Sequence, residues 1–424
     1  MTAGAELEGR RVLVIGLARS GVAAAEVLRA LGAEVVAFDV NEGLDAGRLR
    51  ALGVEVHLGR EEEAVDMLLA GTDLLVKSPG VPGETPLVAA ANARAIPVWS
   101  ELELGARLLP NPFAAITGSN GKTTTTALLG AMFHAAEVPA EVAGNIGRAV
   151  TSLIGSTDES AWIVCEVGVF QLDDVDTFRP RIAALLNLDA DHIDRYGTFE
   201  WYADTKLRIF EQQTEDDIAI VPLGFGPVPG GAARIEFSGD DPLPAEPLIP
   251  GAHNRENAAA ATAAARAAGL SDDAIAEALR TFPGVPHRIE PVRELGGVRY
   301  VNDSKATNVA AALRALAALH PASLHVLLGG LGKHESYEPL AEAFEASDHA
   351  YLIGDAASKI GAALADAGVP FTPCGDLATA LSEAARAARP GDVVLLSPAC
   401  ASFDQFHDFE ARGDEFRRLV LELA

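Results

Sequence analysis

FAAITGSNGKTTTT, residues 113–126, is the most informative stretch of this chain. Residues 113–117 are a short apolar run that reads as a buried strand. Gly118-Ser119-Asn120-Gly121 follows, and Lys122-Thr123-Thr124 opens a segment of helical character. Strand, glycine turn and helix in this order form a phosphate cradle. The glycines let backbone N–H groups turn toward phosphate oxygens. Lys122 offers a point charge to β- and γ-phosphates, Thr123 a hydroxyl to Mg²⁺, and the helix N-terminus its positive dipole end. The spacing departs from GxxxxGK[ST], because Ile116 stands at the first glycine position. A glycine-rich turn with a solvated lysine would not need all these features together. ATP binding by Gly118, Ser119, Asn120, Gly121, Lys122, Thr123 and Thr124 is therefore expected.

Outward from this loop, β-branched runs alternate with Ala/Leu-rich helical stretches. Expected strands lie at residues 11–16, 35–39, 74–77, 113–117, 162–167, 182–188, 325–329, 350–353 and 393–396. Helical periods lie between most of them, as at 22–31 and 256–268. This alternation predicts an α/β protein with mainly parallel sheets covered on both faces. Pro-containing breaks near 97–112 and 283–287 suggest three domains: 1–98, 99–284 and 285–424. Residues 222–231, rich in Pro and Gly, read as a surface loop of the middle domain.

The first domain opens with VLVIGLARSG, residues 12–21, a buried strand turning into a helix at Gly16 and Gly21. A second strand ends at Asp39. The pattern is close to a dinucleotide fingerprint, with phosphate over the helix and a carboxylate on the ribose. The full GxGxxG is absent, since Ala18 stands two residues after Gly16. Another nucleotide diphosphate suits the site better than a nicotinamide cofactor, and an ordinary βαβ turn remains open. LVKSPGVP, residues 75–82, ends a later strand of the same unit and lines the same mouth.

The chain has 424 residues and a formal net charge of −27, with no compensating basic stripe. Such a surface disfavours nucleic acid and anionic lipid, so an anionic substrate must be held by locally placed groups. Cys165, Cys374 and Cys400 form no CxxC pair and no zinc spacing. No stretch reaches the roughly 20 apolar residues of a membrane span, and no signal-peptide pattern opens the chain. A reducing cytoplasm is the expected compartment.

The middle domain carries VCEVGVFQLD, with Glu166 at a strand end, and then NLDADHIDRYGTFEWYADTKLRIF. A carboxylate at a strand end beside a phosphate loop is a natural Mg²⁺ ligand. His192 is flanked by Asp191 and Asp194, which keep its loop electronegative; a lone histidine is as often structural. From its own surroundings Lys206 reads as a surface helix lysine.

TGSNGKTTT resembles the variant phosphate loop of the Mur ligases and folylpolyglutamate synthases, three-domain ATP-dependent amide-forming enzymes. The resemblance implies an N-terminal Rossmann-like domain, a central P-loop ATPase-like parallel sheet and a C-terminal Rossmann-like domain. It implies catalytic roles for Lys122, Glu166, His192 and Lys206. Two Mg²⁺ would be held by Thr123, Glu166, His192 and Lys206, the last as N6-carboxylysine. Carbamylation needs a neutral amine first, which burial favours. One departure stands out: the family's E-L-S-S-F-Q-L has Gly168 and Val169 in place of both serines. GNIG, residues 144–147, matches the family, where its Asn contacts the uridine-linked substrate. With Asn145, the resemblance assigns that substrate to Gly16, Leu17, Ala18, Arg19, Ser20, Asp39, Ser78, Gly80 and His192. PGAHNRENAAAA, residues 250–261, matches too, placing Asn257 at the nucleotide; Asn254 reads equally as a helix cap.

HRIE (287–290), NDSKATN (302–308), GGLGK (329–333) and LSPACASFDQF (396–406) end separate strands, and such clusters converge on one mouth of a doubly wound sheet. They resemble the third domain of the family member that adds D-glutamate to UDP-N-acetylmuramoyl-L-alanine through an acyl phosphate, in peptidoglycan precursor synthesis. The resemblance assigns Arg288, Asp303 and Lys305 to ATP, and Thr307, Lys333, Ser402 and Phe409 to D-glutamate. Other readings remain open from residues alone: another Mur ligase or a folylpolyglutamate synthase-like amide ligase, a P-loop NTPase switch, or a nicotinamide oxidoreductase.

Overall fold

The computed structural model describes residues 3–145, 147–189, 198–332 and 335–423. The described residues form an α/β architecture with three sheets. The chain divides into two compact units at Phe282–Pro283.

The first unit holds two sheets. In one, β1 (Arg11–Ile15), β2 (Glu34–Asp39), β3 (Glu55–Leu58), β4 (Leu74–Lys77) and β5 (Val98–Ser100) run in the order β3-β2-β1-β4-β5, all parallel. The other contains β6 (Phe113–Thr117), β7 (Ala140–Gly144), β8 (Trp162–Glu166), β9 (Ile182–Leu185), β10 (Ile218–Pro222) and β11 (Ala233–Phe237). Its order is β11-β10-β9-β6-β8-β7, again all parallel. All five residues of β6 are buried, which explains its unbroken apolar run: helices cover both faces of a parallel sheet. On one face the helix Lys122–Ala135 packs with the Ala-rich helix Ala252–Ala267. Small side chains let the second helix lie close, and eight of its residues are buried. The order reverses around β6, between β8 and β9, so the loop after β6 sits at a topological switch point, where such sheets bind ligands.

The two sheets of this unit are tied through the helix Glu101–Leu108, which follows β5 directly. Lys77, fully buried at the end of β4, pairs with Asp174 at 2.6 Å, and Ser100 N donates to Asp174 O at 2.8 Å. Glu103 is buried and accepts from the backbone N–H groups of Asp176, Thr177 and Phe178. These donors and Arg107 hold its carboxyl below the usual value, although burial pushes the other way.

The second unit has one sheet, ordered β12-β13-β17-β14-β15-β16. Its strands are β12 (Glu290–Leu295), β13 (Val298–Asn302), β14 (Leu324–Gly329), β15 (His349–Ile353), β16 (Phe371–Gly375) and β17 (Val393–Leu396). Only the β12–β13 hairpin is antiparallel. Among the described residues no helix is long and apolar enough to cross a membrane.

Candidate active site

The loop between β6 and the helix Lys122–Ala135 takes the form its sequence predicts. Gly118 has φ +154° and Gly121 φ +81°. A Cβ on Gly121 would lie 2.1 Å from Asn257 Oδ1, so any other residue must displace that side chain as well as bear the positive φ. Lys122 Nζ donates to Gly118 O at 2.7 Å and to Ser119 O at 3.0 Å. Lys206 Nζ donates to the same Gly118 O at 2.9 Å. Two ammonium groups from distant parts of the chain thus converge on one carbonyl of the loop. This concentrates positive charge where a polyphosphate would lie, in a protein whose overall charge is strongly negative.

The loop is bolted to the segment after β9. Asn120 N donates to Asn187 Oδ1 at 2.8 Å, and Asn120 Nδ2 to Asp189 Oδ2 at 3.0 Å. Ser119 Oγ accepts from Asp189 N and donates to Asp189 O, both at 2.9 Å, and lies 2.9 Å from Tyr202 OH. The Lys206 ammonium sits over the Tyr202 ring, 4.9 Å from its centroid. Lys206 is only 1% exposed. The surface lysine expected from its local sequence is therefore a buried one, which agrees with the special environment the family resemblance implies. Thr123 and Thr124 are buried on the first helical turn.

Glu166 ends β8 and is 1% exposed. Its Oε1 accepts from Asn145 Nδ2 at 2.8 Å; its Oε2 is enclosed without a hydrogen-bond partner among the described residues. A buried carboxylate oxygen is costly to leave unmatched, and its need for a positive partner fits a divalent cation. His192 lies outside the described residues. Among the described residues no group of three His, Cys, Asp or Glu side chains forms a metal cluster. At the departure from the family pattern, Gly168 N donates to Gln171 Oε1 at 3.0 Å, and Val169 packs on Tyr202.

A cavity of about 440 Å³ opens at the carboxyl ends of β1, β2 and β4. Gly16, Ala18, Arg19, Ser20, Asp39, Ser78, Gly80 and Asn145 all line it, together with apolar Phe38, Val81 and Leu87. Leu17 does not; its side chain is in the core beneath, 2% exposed. Gly16 has φ +81°, and a Cβ there would meet Val81 Cγ2 at 2.5 Å. Ser78 Oγ closes the turn by donating to Gly16 O at 2.6 Å. The Asp39 carboxylate accepts from Leu17 N at 2.6 Å and from Asn41 N at 2.8 Å. It clamps the turn as well as facing the cavity.

In the second unit, Asn302 is fully buried; its Nδ2 lies 3.0 Å from His287 Nδ1 and donates to Glu290 Oε2 and Gly413 O. Asp303 accepts from Ser397 Oγ at 2.9 Å and from Ile289 N at 3.2 Å. Burial pushes its carboxyl up to about 7, against these donors and the charges of Arg288 and Arg314. Lys305 Nζ lies 5.9 Å from the Phe409 ring centroid. Arg412, 1% exposed, donates to Ser304 Oγ and O, Cys400 O and Ala401 O. It thereby joins the 302–308 loop to the segment carrying the buried Ser402. Thr307 begins the turn into the helix Val309–Leu319, which Asn308 caps. Lys333 lies outside the described residues.

Three family descriptions match the chain in order: the Mur ligase MurD-like N-terminal domain over residues 10–100, the Mur ligase middle domain over 116–224, and the Mur ligase glutamate ligase domain over 287–400. The chain belongs to the Mur ligase family. It is an enzyme, a ligase. Relatives of this Mur ligase named UDP-N-acetylmuramoylalanine–D-glutamate ligase occur in Acidobacterium capsulatum (42% identical, covering 98% of this chain and 97% of the relative) and Anaeromyxobacter dehalogenans (43%, covering 99% of each). Among solved structures, UDP-N-acetylmuramate–alanine ligase MurC from Thermotoga maritima has a TM-score of 0.57 at 18% identity, covering 97% of this chain and 99% of that one. MurF from the same organism, in complex with ADP, has a TM-score of 0.56 at 16% identity, covering 100% and 98%. These two show the shared fold.

Several residues that shape this Mur ligase's site stand outside its sequence motifs. Tyr202, Asn187 and Asp189 hold the phosphate loop only because β9 lies beside β6, which no local pattern announces. Arg412 left a readable trace. Phe409, Arg412, Phe416 and Val420 recur at helical spacing, so Arg412 falls on the inward face of its helix.

Proposed function

We propose that this Mur ligase joins D-glutamate to UDP-N-acetylmuramoyl-L-alanine at the expense of ATP, in cytoplasmic peptidoglycan precursor synthesis, acting as a monomer. The observation that carries the reading is the full-length likeness, 42% over 98% of the chain, to ligases named for that reaction. We assign residues 1–98 to the uridine-linked substrate, 99–284 to ATP and 285–424 to D-glutamate.

Amide formation in water is uphill, so the alanine carboxylate must be activated. It attacks the γ-phosphorus of ATP and gives an acyl phosphate with release of ADP. The amine of D-glutamate adds to the acyl carbon, and phosphate leaves from the tetrahedral intermediate as the nitrogen gives up its proton. Such chemistry depends on positioning and charge neutralisation rather than covalent help from the protein. Lys122 supports the β- and γ-phosphates from the position where it now bonds the loop. Ser119 and Asn120, fixed by Asp189 and Asn187, hold the loop's N–H groups in place. Asn145 spans the cavity wall and Glu166 Oε1, and so orients the substrate's acyl end relative to the phosphates.

We assign two Mg²⁺ to Glu166, Thr123, His192 and a carboxylated Lys206; when bound they neutralise phosphate charge. The unmatched Glu166 Oε2 and the burial of Lys206 support that assignment. Asn257, Arg288, Asp303 and Lys305 are assigned to ATP; Thr307, Lys333, Ser402 and Phe409 to the dicarboxylate of D-glutamate, which needs cations and hydroxyls. Mass spectrometry of the product formed from ATP, UDP-N-acetylmuramoyl-L-alanine and D-glutamate tests the reading. An adduct carrying one glutamyl residue is expected, and unchanged UDP-substrate beside ADP would refute it.

A further inference from the structure

The cavity wall contributed by the second sheet is the loop after β7: Gly144, Asn145, Gly147 and Ala149 all face the cavity. The loop closes on itself, with Gly144 N donating to Arg148 O at 2.9 Å. Its far end enters a short 3₁₀ turn, Val150–Leu153, whose Thr151 is fully buried. There it meets Glu101, which lies outside the cavity and outside every role assigned above.

Glu101 is the first residue of the helix Glu101–Leu108 and follows β5 of the other sheet without a gap. It is 1% exposed. Its Oε1 accepts from both Thr151 N and Thr151 Oγ1, each at 2.7 Å. Its Oε2 is enclosed with no hydrogen-bond partner among the described residues. Burial raises the Glu101 carboxyl above its usual value despite these donors. Retaining an acid in such a place works against stability. A fold that needed only helix packing here would fill the site with an apolar side chain. The same helix presses on the same turn one step further on, where a Cβ on Gly105 would come within 2.5 Å of Val150 Cγ1. The contact is close and directional, and it joins the sheet that forms the cavity floor to the loop that forms its wall.

We propose that Glu101 is a positioning residue for the uridine-linked substrate: through Thr151 it sets the height of the wall residues Gly144, Asn145, Gly147 and Ala149 over the cavity of the first sheet. The proposal rests on the reading that this cavity takes UDP-N-acetylmuramoyl-L-alanine. Loosening the tie leaves the phosphate loop untouched, because that loop is held by Asn187, Asp189 and Tyr202 instead.

The test uses full-length Glu101→Leu, which removes the acceptor of both Thr151 donors, Thr151→Val and the double variant. Calorimetry gives Kd for UDP-N-acetylmuramoyl-L-alanine and, separately, for a nonhydrolysable ATP analogue; steady-state ligation gives kcat and both KM values. Each single variant is expected to weaken the UDP-substrate by about tenfold, the scale on which a displaced positioning group acts. ATP-analogue affinity should stay within about twofold, kcat should fall along with UDP-substrate affinity because Asn145 orients the acyl end, and the double variant should be no worse than Glu101→Leu alone, because both changes act on one tie. Unchanged UDP-substrate affinity in the folded variants, or an equal loss for the ATP analogue, overturns the proposal. Should Glu101→Leu not fold, Thr151→Val, which removes one of the two donors and keeps the backbone one, carries the same two outcomes. A wild-type protein that does not bind the UDP-substrate overturns instead the reading on which the tie rests.

Discussion

Gly121→Ala probes the phosphate loop with one methyl group. Gly121 holds φ +81°, and an L-residue pays about 1–2 kcal/mol to stay in that region. The added Cβ would stand 2.1 Å from Asn257 Oδ1 and 3.2 Å from Leu186 Cδ1. Leu186 can give a few tenths of an ångström, but Asn257 must leave its rotamer. Asn257 is 6% exposed on the closely packed helix Ala252–Ala267, which leaves it little room, and an off-rotamer side chain costs about 1 kcal/mol. The sum, about 2–3 kcal/mol, lowers the first unit's melting temperature by roughly 4–10 °C. Because the loop amides shift together, the KM for ATP should rise by at least about tenfold. Differential scanning fluorimetry and ADP-release kinetics read the two effects. Adding Asn257→Ala removes the clash but not the backbone strain, so about 1 kcal/mol of stability should return. A single variant with wild-type melting temperature and wild-type KM for ATP would refute the reasoning.

Lys122→Ala should leave the melting temperature within a few degrees of wild type and reduce ATP turnover by at least about a hundredfold, read by ADP release; near-normal ligation by the folded variant contradicts the loop's role. Lys206→Ala should abolish ligation and be partly rescued by added short-chain carboxylates, and full activity without rescue rejects a carboxylated lysine there. Asp303 yields a pH signature: its folded value of about 7 is raised from 3.8, so the stability it contributes is present below about pH 4 and is lost as pH rises through 7. Asp303→Asn should therefore stabilise the ligand-free second unit at pH 8, by at most roughly 4 kcal/mol, with the gain shrinking toward pH 4; a gain that does not change with pH in thermal melts contradicts the assignment.

The strands that were legible in the sequence are mostly buried. β1, β2, β4, β6, β8, β9, β14, β15 and β17 show themselves as apolar runs because helices cover both sides of each sheet, whereas β10 and β13, although largely buried, were not legible as strands. β3, β7 and β16 were not legible: they are short edge strands, half exposed and carrying Glu, Gly or Pro. The phosphate loop could be read because glycine, lysine and threonine act there within one turn of chain. Its anchors could not, since Asn187, Asp189 and Tyr202 reach it from another strand and helix. Around Gly16 the sequence located the turn, but not which residues face outward. Ala18, Arg19 and Ser20 line the cavity while Leu17 turns into the core. Lys206 shows the same limit most sharply: its helix is too mixed in polarity to mark an inward face, and only the packing of Tyr202 and Gly118 reveals it as buried.

The central claim, ATP-dependent addition of D-glutamate, is tested most directly by phosphate release from this protein with ATP, UDP-N-acetylmuramoyl-L-alanine and one amino acid at a time. Release is predicted with D-glutamate and only background with L-glutamate, L-alanine or L-lysine. Equal release without any amino acid, or faster release with another member of the panel, would contradict it.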